Sequence, residues 1–360
     1  MKGRVKVGIS GLGRSGWGIH VITLEKLSDM YSIVAVFDPI EGRRREAVER
    51  LGCKAYSDFS SLARDGEVEL VVVATPSHLH APQTIEALKA GKDVVCEKPM
   101  ATSLAEADEM VKTAEGTGKT LTVFHSMRYA PDFLKIREVI GSGKLGRIVL
   151  VKIYSHSFGR RWDWQTLRKF GGGELNNNAP HLIDQALQLL GSAEPEVLFC
   201  DLQKTLTLGD AEDHVKIVLS APGSTVVDIE FTRACAYPQD HWLVMGTRGG
   251  LAGSNTSLRW RYFNPGDLPV RHVETEPTPD RSYNWEEIPW KEETWNLVEG
   301  QKGGEVNLYV RAQVTFYEEL YKTLRLGAPL GVTPESARNV MRVIERCREY
   351  HRKFRRVSLE

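Results

Sequence analysis

Along the first 125 residues, short apolar runs alternate with stretches whose apolar positions recur every three or four residues. "VKVGIS" (5–10), "SIVAVFD" (32–38), "ELVVVATP" (69–76), "KDVVCEK" (92–98) and "TLTVFHS" (120–126) read as strands. Strands this uniformly apolar are covered on both faces, and the helical stretches between them are the crossovers of a parallel sheet. "HAPQTIEALKAG" is one such helix, with Gly91 placed to end it. The pattern predicts an α/β, doubly wound parallel sheet over residues 1–125.

The texture changes after about residue 146. "RIVLVKIYSHSF", "EVLFCDLQKTL", "DHVKIVLS", "TVVDIEFTRACA" and "HWLVMGT" are longer strands with partial alternation, mostly without helices between them. Ala221-Pro222-Gly223-Ser224 reads as a hairpin turn joining two of them. Residues 126–360 are therefore expected to form an α+β domain on an open, mostly antiparallel sheet that binds substrate and a second copy. A helix is predicted over 334–353, packing near the domain junction. Thr333 caps it, Pro334 sits in its first turn, and Ala337, Met341, Ile344 and Cys347 form its apolar stripe. Residues 264–304, rich in Pro, Trp and charge, read as an irregular excursion.

Composition narrows the function classes. In 360 residues, 41% are hydrophobic, 26% are charged and the formal net charge is zero. Nothing there favours nucleic acid or an anionic membrane surface. The longest apolar run lies around Leu70–Ala74, far short of a membrane span, and the first residues enter a strand without a signal segment. Cys53, Cys96, Cys200, Cys235 and Cys347 form no CxxC pair, so neither zinc nor a disulfide framework is expected. His78, His125 and His156 have no acid or cysteine partners at metal spacing. The expectation is a cytoplasmic protein with a small-molecule substrate.

"GLGRSG" after the first strand gives Gly11, Gly13 and Gly16 as GxGxxG, with Leu12, Arg14 and Ser15 between them. The first glycine allows a tight turn, the second lets a pyrophosphate approach the backbone, and the third permits close helix–strand contact. Asp38 ends the next strand 22 residues after Gly16, where an acid accepts from ribose hydroxyls and repels a 2′-phosphate. Together these predict a Rossmann-type dinucleotide site. Asp38 favours NAD. Arg43, Arg44 and Arg45 could meet the phosphate of NADP, but read first as a solvated helix face.

Three more segments, with the glycine turn, resemble the Gfo/Idh/MocA family of nicotinamide-dependent sugar and polyol oxidoreductases. They are "ATPSHLHAPQTIEALKAGKDVVCEKPMA" (74–101), "FHSMRYAPDF" (124–133) and "GGGELNNNAPHLIDQAL" (171–187). The resemblance implies that Lys98 of the Glu-Lys-Pro motif bonds the substrate oxygen and that Glu97 meets the nicotinamide-side ribose. It places Thr75, Pro76 and His80 along the cofactor cleft, and Arg128 and Tyr129 near the nicotinamide end. It makes His181 the catalytic acid/base and Asp184 its supporting acid. The family commonly has an aspartate four residues before this histidine; here Asn177 stands there. An amide can bond a substrate hydroxyl, but it brings no charge to His181.

The residues themselves allow two readings of this block. Pro180 suits a first helical turn, Leu182, Ile183, Ala186, Leu187 and Leu190 form an apolar stripe, and Gly191 ends it. His181 and Asp184 fall off that stripe with Gln185 and Gln188, which alone would read as a solvated face. Hydride transfer at an alcohol carbon, however, needs a proton moved in the same event, and histidine titrates near neutrality. Pro99 restrains Lys98 to an extended backbone at a strand end, where open α/β sheets bind ligands. Trp162 and Trp164 either stack on a sugar ring or pack an interface; Arg160, Arg161 and Arg168 either meet a carboxylate or face water. Arg128 either serves substrate or makes an internal ion pair.

The expected activity is reversible hydride transfer between NAD and a secondary alcohol of a sugar, cyclic polyol or derivative. Lys98 and His181 would be catalytic, with Asn177, Arg128, Tyr129, Trp162 and Asp184 around the substrate. The alternatives are redox-neutral, NAD-dependent glycoside cleavage and a non-catalytic dinucleotide sensor. A flat apolar sheet face is expected to make the protein a homodimer or homotetramer.

Overall fold

The structure, a computed structural model, describes residues 3–191, 194–221, 223, 225–297 and 307–355. Its first sheet contains β1 (Val5–Ser10), β2 (Tyr31–Phe37), β3 (Lys54–Tyr56), β4 (Leu70–Val73), β5 (Asp93–Cys96) and β6 (Leu121–Val123). All are parallel, in the order β3-β2-β1-β4-β5-β6. That order is the doubly wound nucleotide-binding one, with its switch point between β1 and β4. Val71, Val72 and Val73 are fully buried, as two-sided cover requires.

The crossovers are α1 (Ile22–Lys26), which continues a π turn at Gly16–Val21, then α2 (Glu41–Leu51), α3 (Phe59–Arg64), α4 (His80–Lys89) and α5 (Leu104–Thr117). Local chemistry sets their ends. Asp58 Oδ1 accepts from Ser61 N (2.8 Å) to start α3. Ser103 and Glu106 form a reciprocal capping box on α5, a device whose loss costs about 1 kcal/mol.

Beyond a 3-10 turn at Ser126–Tyr129 come α6 (Pro131–Gly141), β7 (Ile148–His156), α7 (Glu174–Asn177) and α8 (Ala179–Leu190). Then follow β8 (Glu196–Gln203), β9 (His214–Ser220), β10 (Val226–Thr232), β11 (Trp242–Gly246), β12 (Gly249–Gly253), β13 (Ser257–Tyr262) and β14 (Lys291–Asn296). The last helices are α9 (Leu308–Leu326) and α10 (Pro334–Arg355). The second sheet runs β14-β13-β12-β11-β7-β10-β9-β8. It is antiparallel except for the parallel pair β7–β10. β9 and β10 pair as the hairpin expected around residues 221–224, of which Pro222 and Ser224 lie outside the described residues. α10 packs on α5 and β6 of the first sheet's layer and on α8 and β8 of the second. Thr333 Oγ1 accepts from Ser336 N (3.2 Å) at its start.

Four departures from the sequence pattern stand out. β14 lies inside the stretch expected to be irregular, because "KEETWN" is an edge strand with no buried apolar face to announce it. β12 and β13 extend the sheet through a glycine-rich hairpin. α9, with Leu308, Ala312, Phe316, Tyr317 and Leu320 buried, is a helix that was not anticipated. The outer face of the second sheet is mixed, apolar around β11 and charged around β9 and β10. Lys216 Nζ there meets Asp228 Oδ1 (2.7 Å) and Glu230 Oε2 (2.9 Å), and Glu230 Oε1 meets His156 Nε2 (3.1 Å). The strands alternate, and the outward set joins these charges to apolar residues such as Leu243 and exposed Met245. No described helix is long and apolar enough to cross a membrane.

Candidate active site

The glycine turn sits at the C-terminal end of β1, beside the switch point. Gly11 has φ +90°, and a Cβ there would lie 2.8 Å from Ala74 O. A Cβ on Gly16 would stand 1.8 Å from Gly11 O, so helix and strand meet backbone to backbone. Gly13 instead faces open space, with nothing within 4 Å of where its Cβ would be. That gap, ahead of the helical turn, fits the pyrophosphate of a dinucleotide. Arg14 is exposed beside it and Ser15 half-buried.

Asp38 is buried and ties the turn together. Its Oδ2 accepts from Leu12 N (2.8 Å) and Arg43 Nη1 (3.4 Å), and its Oδ1 accepts from Ile40 N (2.9 Å). Arg44 Nη1 is taken by the carbonyls of Asp38 (2.7 Å) and Pro39 (3.0 Å). On the facing wall, Thr75 Oγ1 and Ser10 Oγ both donate to Gln83 Oε1 (3.0 and 2.8 Å). His80 lies between the carbonyl of Pro99 (Nδ1, 2.7 Å) and that of Thr75 (Nε2, 2.9 Å), and Pro76 leads into the turn before α4. His80 thus pins the Glu-Lys-Pro loop to the end of β4.

Lys98 follows β5, and its Nζ donates to the backbone carbonyl of Asn177 (2.5 Å) at the end of α7. Burial lowers its pKa, while the neighbouring Glu97 and Glu174 oppose the shift. His181, in the first turn of α8, is half-buried, and its Nδ1 is enclosed without a hydrogen-bond partner. Burial first, then the charge of Lys98, holds its pKa well below the usual histidine range. The ring of His125 stands edge-on to that of His181, centroids 6.1 Å apart, and burial brings His125 down to about 4. Lys98 and His181 therefore stand close enough at the strand ends for the lysine to depress the imidazole's basicity.

Asn177 Oδ1 accepts from Gln165 Nε2 (3.3 Å), whose Oε1 is held by Arg161 Nη2. Gln165 is one contributor that the sequence pattern does not mark. Glu174 is another: buried, it accepts from Arg233 Nε (3.0 Å) and anchors α7 below Asn177.

The other expected substrate contacts lie differently. Arg128 donates through Nε (3.1 Å) and Nη2 to the two oxygens of Asp184, and through Nη1 to Gly331 O (2.7 Å). The Tyr129 hydroxyl abuts Gly331, where a Cβ would lie 2.0 Å from it. Asp184 and Gln185 are both buried, and Gln185 Nε2 donates to Met127 O (3.1 Å), so α8 has no solvated face along this side. Arg128, Tyr129 and Asp184 thus lock the 126–129 turn to α8 and to the start of α10. Trp162 is 76% exposed beyond β7, and Trp164 37%.

Comparison with known proteins agrees with this fold. The oxidoreductase family with an NAD-binding Rossmann fold matches residues 5–125, and the GFO/IDH/MocA C-terminal domain matches residues 133–252. A scyllo-inositol 2-dehydrogenase (NADP(+)) from Bacillus subtilis is 28% identical over 375 aligned positions, covering 100% of this chain and 99% of its own. A 2,7-anhydro-N-acetylneuraminate hydratase from Mediterraneibacter gnavus is 29% identical over 68% of this chain and 66% of its own. A dehydrogenase from Bordetella pertussis, solved with NADH and UDP-GlcNAcA, shares the fold with a TM-score of 0.75. It has 20% identity and covers 97% of both chains. Glycine turn, Glu-Lys-Pro loop, histidine helix and the matched pair of domains together place this chain in the Gfo/Idh/MocA family of NAD-binding oxidoreductases.

Proposed function

We propose that the protein transfers a hydride reversibly between NAD and a secondary alcohol or carbonyl of a sugar, cyclic polyol or sugar derivative. The observation that carries this reading is the pairing of Lys98 and His181. They are 83 positions apart in sequence, yet the ammonium bonds the Asn177 carbonyl next to the histidine helix and depresses the imidazole's basicity. When bound, the nicotinamide ring supplies the two-electron acceptor. Lys98 then exchanges the Asn177 carbonyl for the substrate oxygen and stabilises the charge developing there. His181, unprotonated at neutral pH, takes the hydroxyl proton as the hydride leaves the carbon. Asn177, its side chain steadied by Gln165, orients a neighbouring hydroxyl. NAD is the preferred cofactor over NADP because the Asp38 carboxylate and its bonds to Arg43 occupy the ground a 2′-phosphate would need.

A second reading has support of its own. Asn177 gives His181 no carboxylate partner, and the hydratase from M. gnavus matches the inositol dehydrogenase in identity, 29% against 28%, though over 68% of this chain rather than all of it. In that reading bound NAD serves a redox-neutral elimination. The test is a panel of polyols, aldoses, sugar acids and glycosides, followed at 340 nm with NAD and with NADP and by chromatography. Net NADH formation with one substrate supports the dehydrogenase. Substrate loss without net NADH supports the elimination and overturns the first proposal.

A further inference from the structure

His20 and Tyr317 take no part in the chemistry above, yet both are fully buried against it. His20 lies in the π turn that follows the glycine motif, and Tyr317 lies on α9, 297 positions later. His20 Nδ1 is 2.7 Å from the Tyr317 hydroxyl, and His20 Nε2 is 3.2 Å from Glu97 Oε1. Glu97 Oε2 accepts from the backbone N–H of Lys98 (2.9 Å). The Tyr317 carbonyl in turn accepts from the Tyr31 hydroxyl (2.6 Å), which fixes α9 to β2.

One proton arrangement satisfies every member. A carboxylate only accepts, so Nε2 carries the N–H toward Glu97. Nδ1 is then an acceptor, and the Tyr317 O–H donates to it. The reverse tautomer would set a lone pair of the ring against the carboxylate. The chain therefore has a direction, from hydroxyl to imidazole to carboxylate, and it ends on the residue adjacent to Lys98. Phe124 packs 4.5 Å from the His20 ring and Phe316 4.8 Å from Phe124, so aromatic rings shield the buried His20 and Tyr317.

We infer that His20 and Tyr317 are positioning residues, which fix the Glu97 carboxylate and its negative charge beside Lys98 and so keep that lysine an ammonium ready to donate. This rests on the role proposed for Lys98. Removing Glu97 from water would raise its carboxyl, but the bond from His20, the charge of Lys98 and the bond from the Lys98 backbone N–H outweigh burial and bring it down to about 2. Lys98, lowered by its own burial, is raised most by Glu97. The other charges facing Lys98 are Glu174, Arg14 and Arg161. His125, His181 and His80 face the Glu97–Lys98 pair from the remaining walls.

The test reads Lys98 directly and needs no substrate. Native protein is labelled with trace acetic anhydride across a pH series, and acetylation of the Lys98 peptide is quantified by mass spectrometry. In His20→Leu the midpoint is expected about one pH unit lower than in the unaltered protein, and His20→Gln, which keeps an N–H toward Glu97, should restore most of it. Tyr317→Phe removes a single oxygen within an intact ring cluster and should shift the midpoint in the same direction. It stands in if His20→Leu does not fold. An unchanged midpoint in folded His20→Leu or Tyr317→Phe overturns the relay, whatever happens to stability. Lys98→Ala, assayed on the substrate found in the panel, separates the two layers. If it stays active, the role of Lys98 falls and this inference with it. If it is inactive while the midpoints do not move, only the relay falls.

Discussion

Replacing Asp184 by alanine removes the carboxylate from a guanidinium that has nowhere else to go. The Arg128 side chain is 9% exposed and that of Asp184 1%, so solvent cannot take over. Breaking a buried pair by deleting one partner costs about 3–5 kcal/mol, because the other charge is left uncompensated. Arg128 keeps bonds to Gly331 O (2.7 Å) and Ser336 Oγ (3.3 Å). These offset part of the loss and put the expected value near ~3 kcal/mol, a large share of the 5–15 kcal/mol that holds a typical domain together. Urea unfolding followed by tryptophan fluorescence measures it as the shift in midpoint multiplied by the slope. A second variant sharpens the result. Arg128→Met combined with Asp184→Ala should recover much of the stability, since an apolar replacement leaves no charge stranded. If Asp184→Ala unfolds within about 0.5 kcal/mol of the unaltered protein, and the Michaelis constant for substrate rises instead, the pair is not structural and Arg128 serves the ligand.

Lys98→Ala and His181→Ala should each lower turnover at least about a hundredfold with cofactor affinity nearly kept, measured by steady-state kinetics at 340 nm. Gly16→Ala should weaken NADH binding at least about tenfold in a fluorescence titration, because its Cβ would sit 1.8 Å from Gly11 O and open the turn. Asp132 supplies a pH-dependent case. Burial pushes its carboxyl up to about 6, against the bond that its Oδ2 accepts from Trp242 Nε1 (2.8 Å). The folded form therefore holds the proton more tightly than the unfolded chain, and stability falls as pH rises from about 4 to about 6. Asp132→Asn should then be more stable than the parent at pH 7.5 by up to ~3 kcal/mol, with the difference gone below about pH 4. An equal difference at both pH values would show that the carboxyl does not titrate there.

The parts of this molecule that are legible in sequence are those where a backbone or a layer imposes composition. β4 is apolar at every position, and β1 and β5 at most of theirs, because helices cover both faces, and Gly11 and Gly16 are required by contacts that admit no side chain. Lys98 and His181 stand out as candidates through motif order. β14 was not, because an edge strand buries little and its charges belong equally to a loop. The polar side of α8 misleads in the opposite sense. Asp184 and Gln185 read as solvated, but they are buried against a turn 56 positions earlier, and local periodicity carries no information about such a partner. Tyr317 and His20 were invisible for the same reason: each is an ordinary core position until the other is placed beside it.

The parallel pair in the second sheet has a bearing on how the chain is made. β7 ends at His156, whereas its two neighbours begin only at Val226 and Trp242. A nascent polypeptide must therefore hold this strand with both hydrogen-bonding edges bare while the whole of α8 is being synthesised. Bare edges recruit strands from other molecules. A chain interrupted before Val226 should clump far more readily than one released after Gly246, and the middle of the sheet, not its rim, is where crowded synthesis puts this protein most at risk.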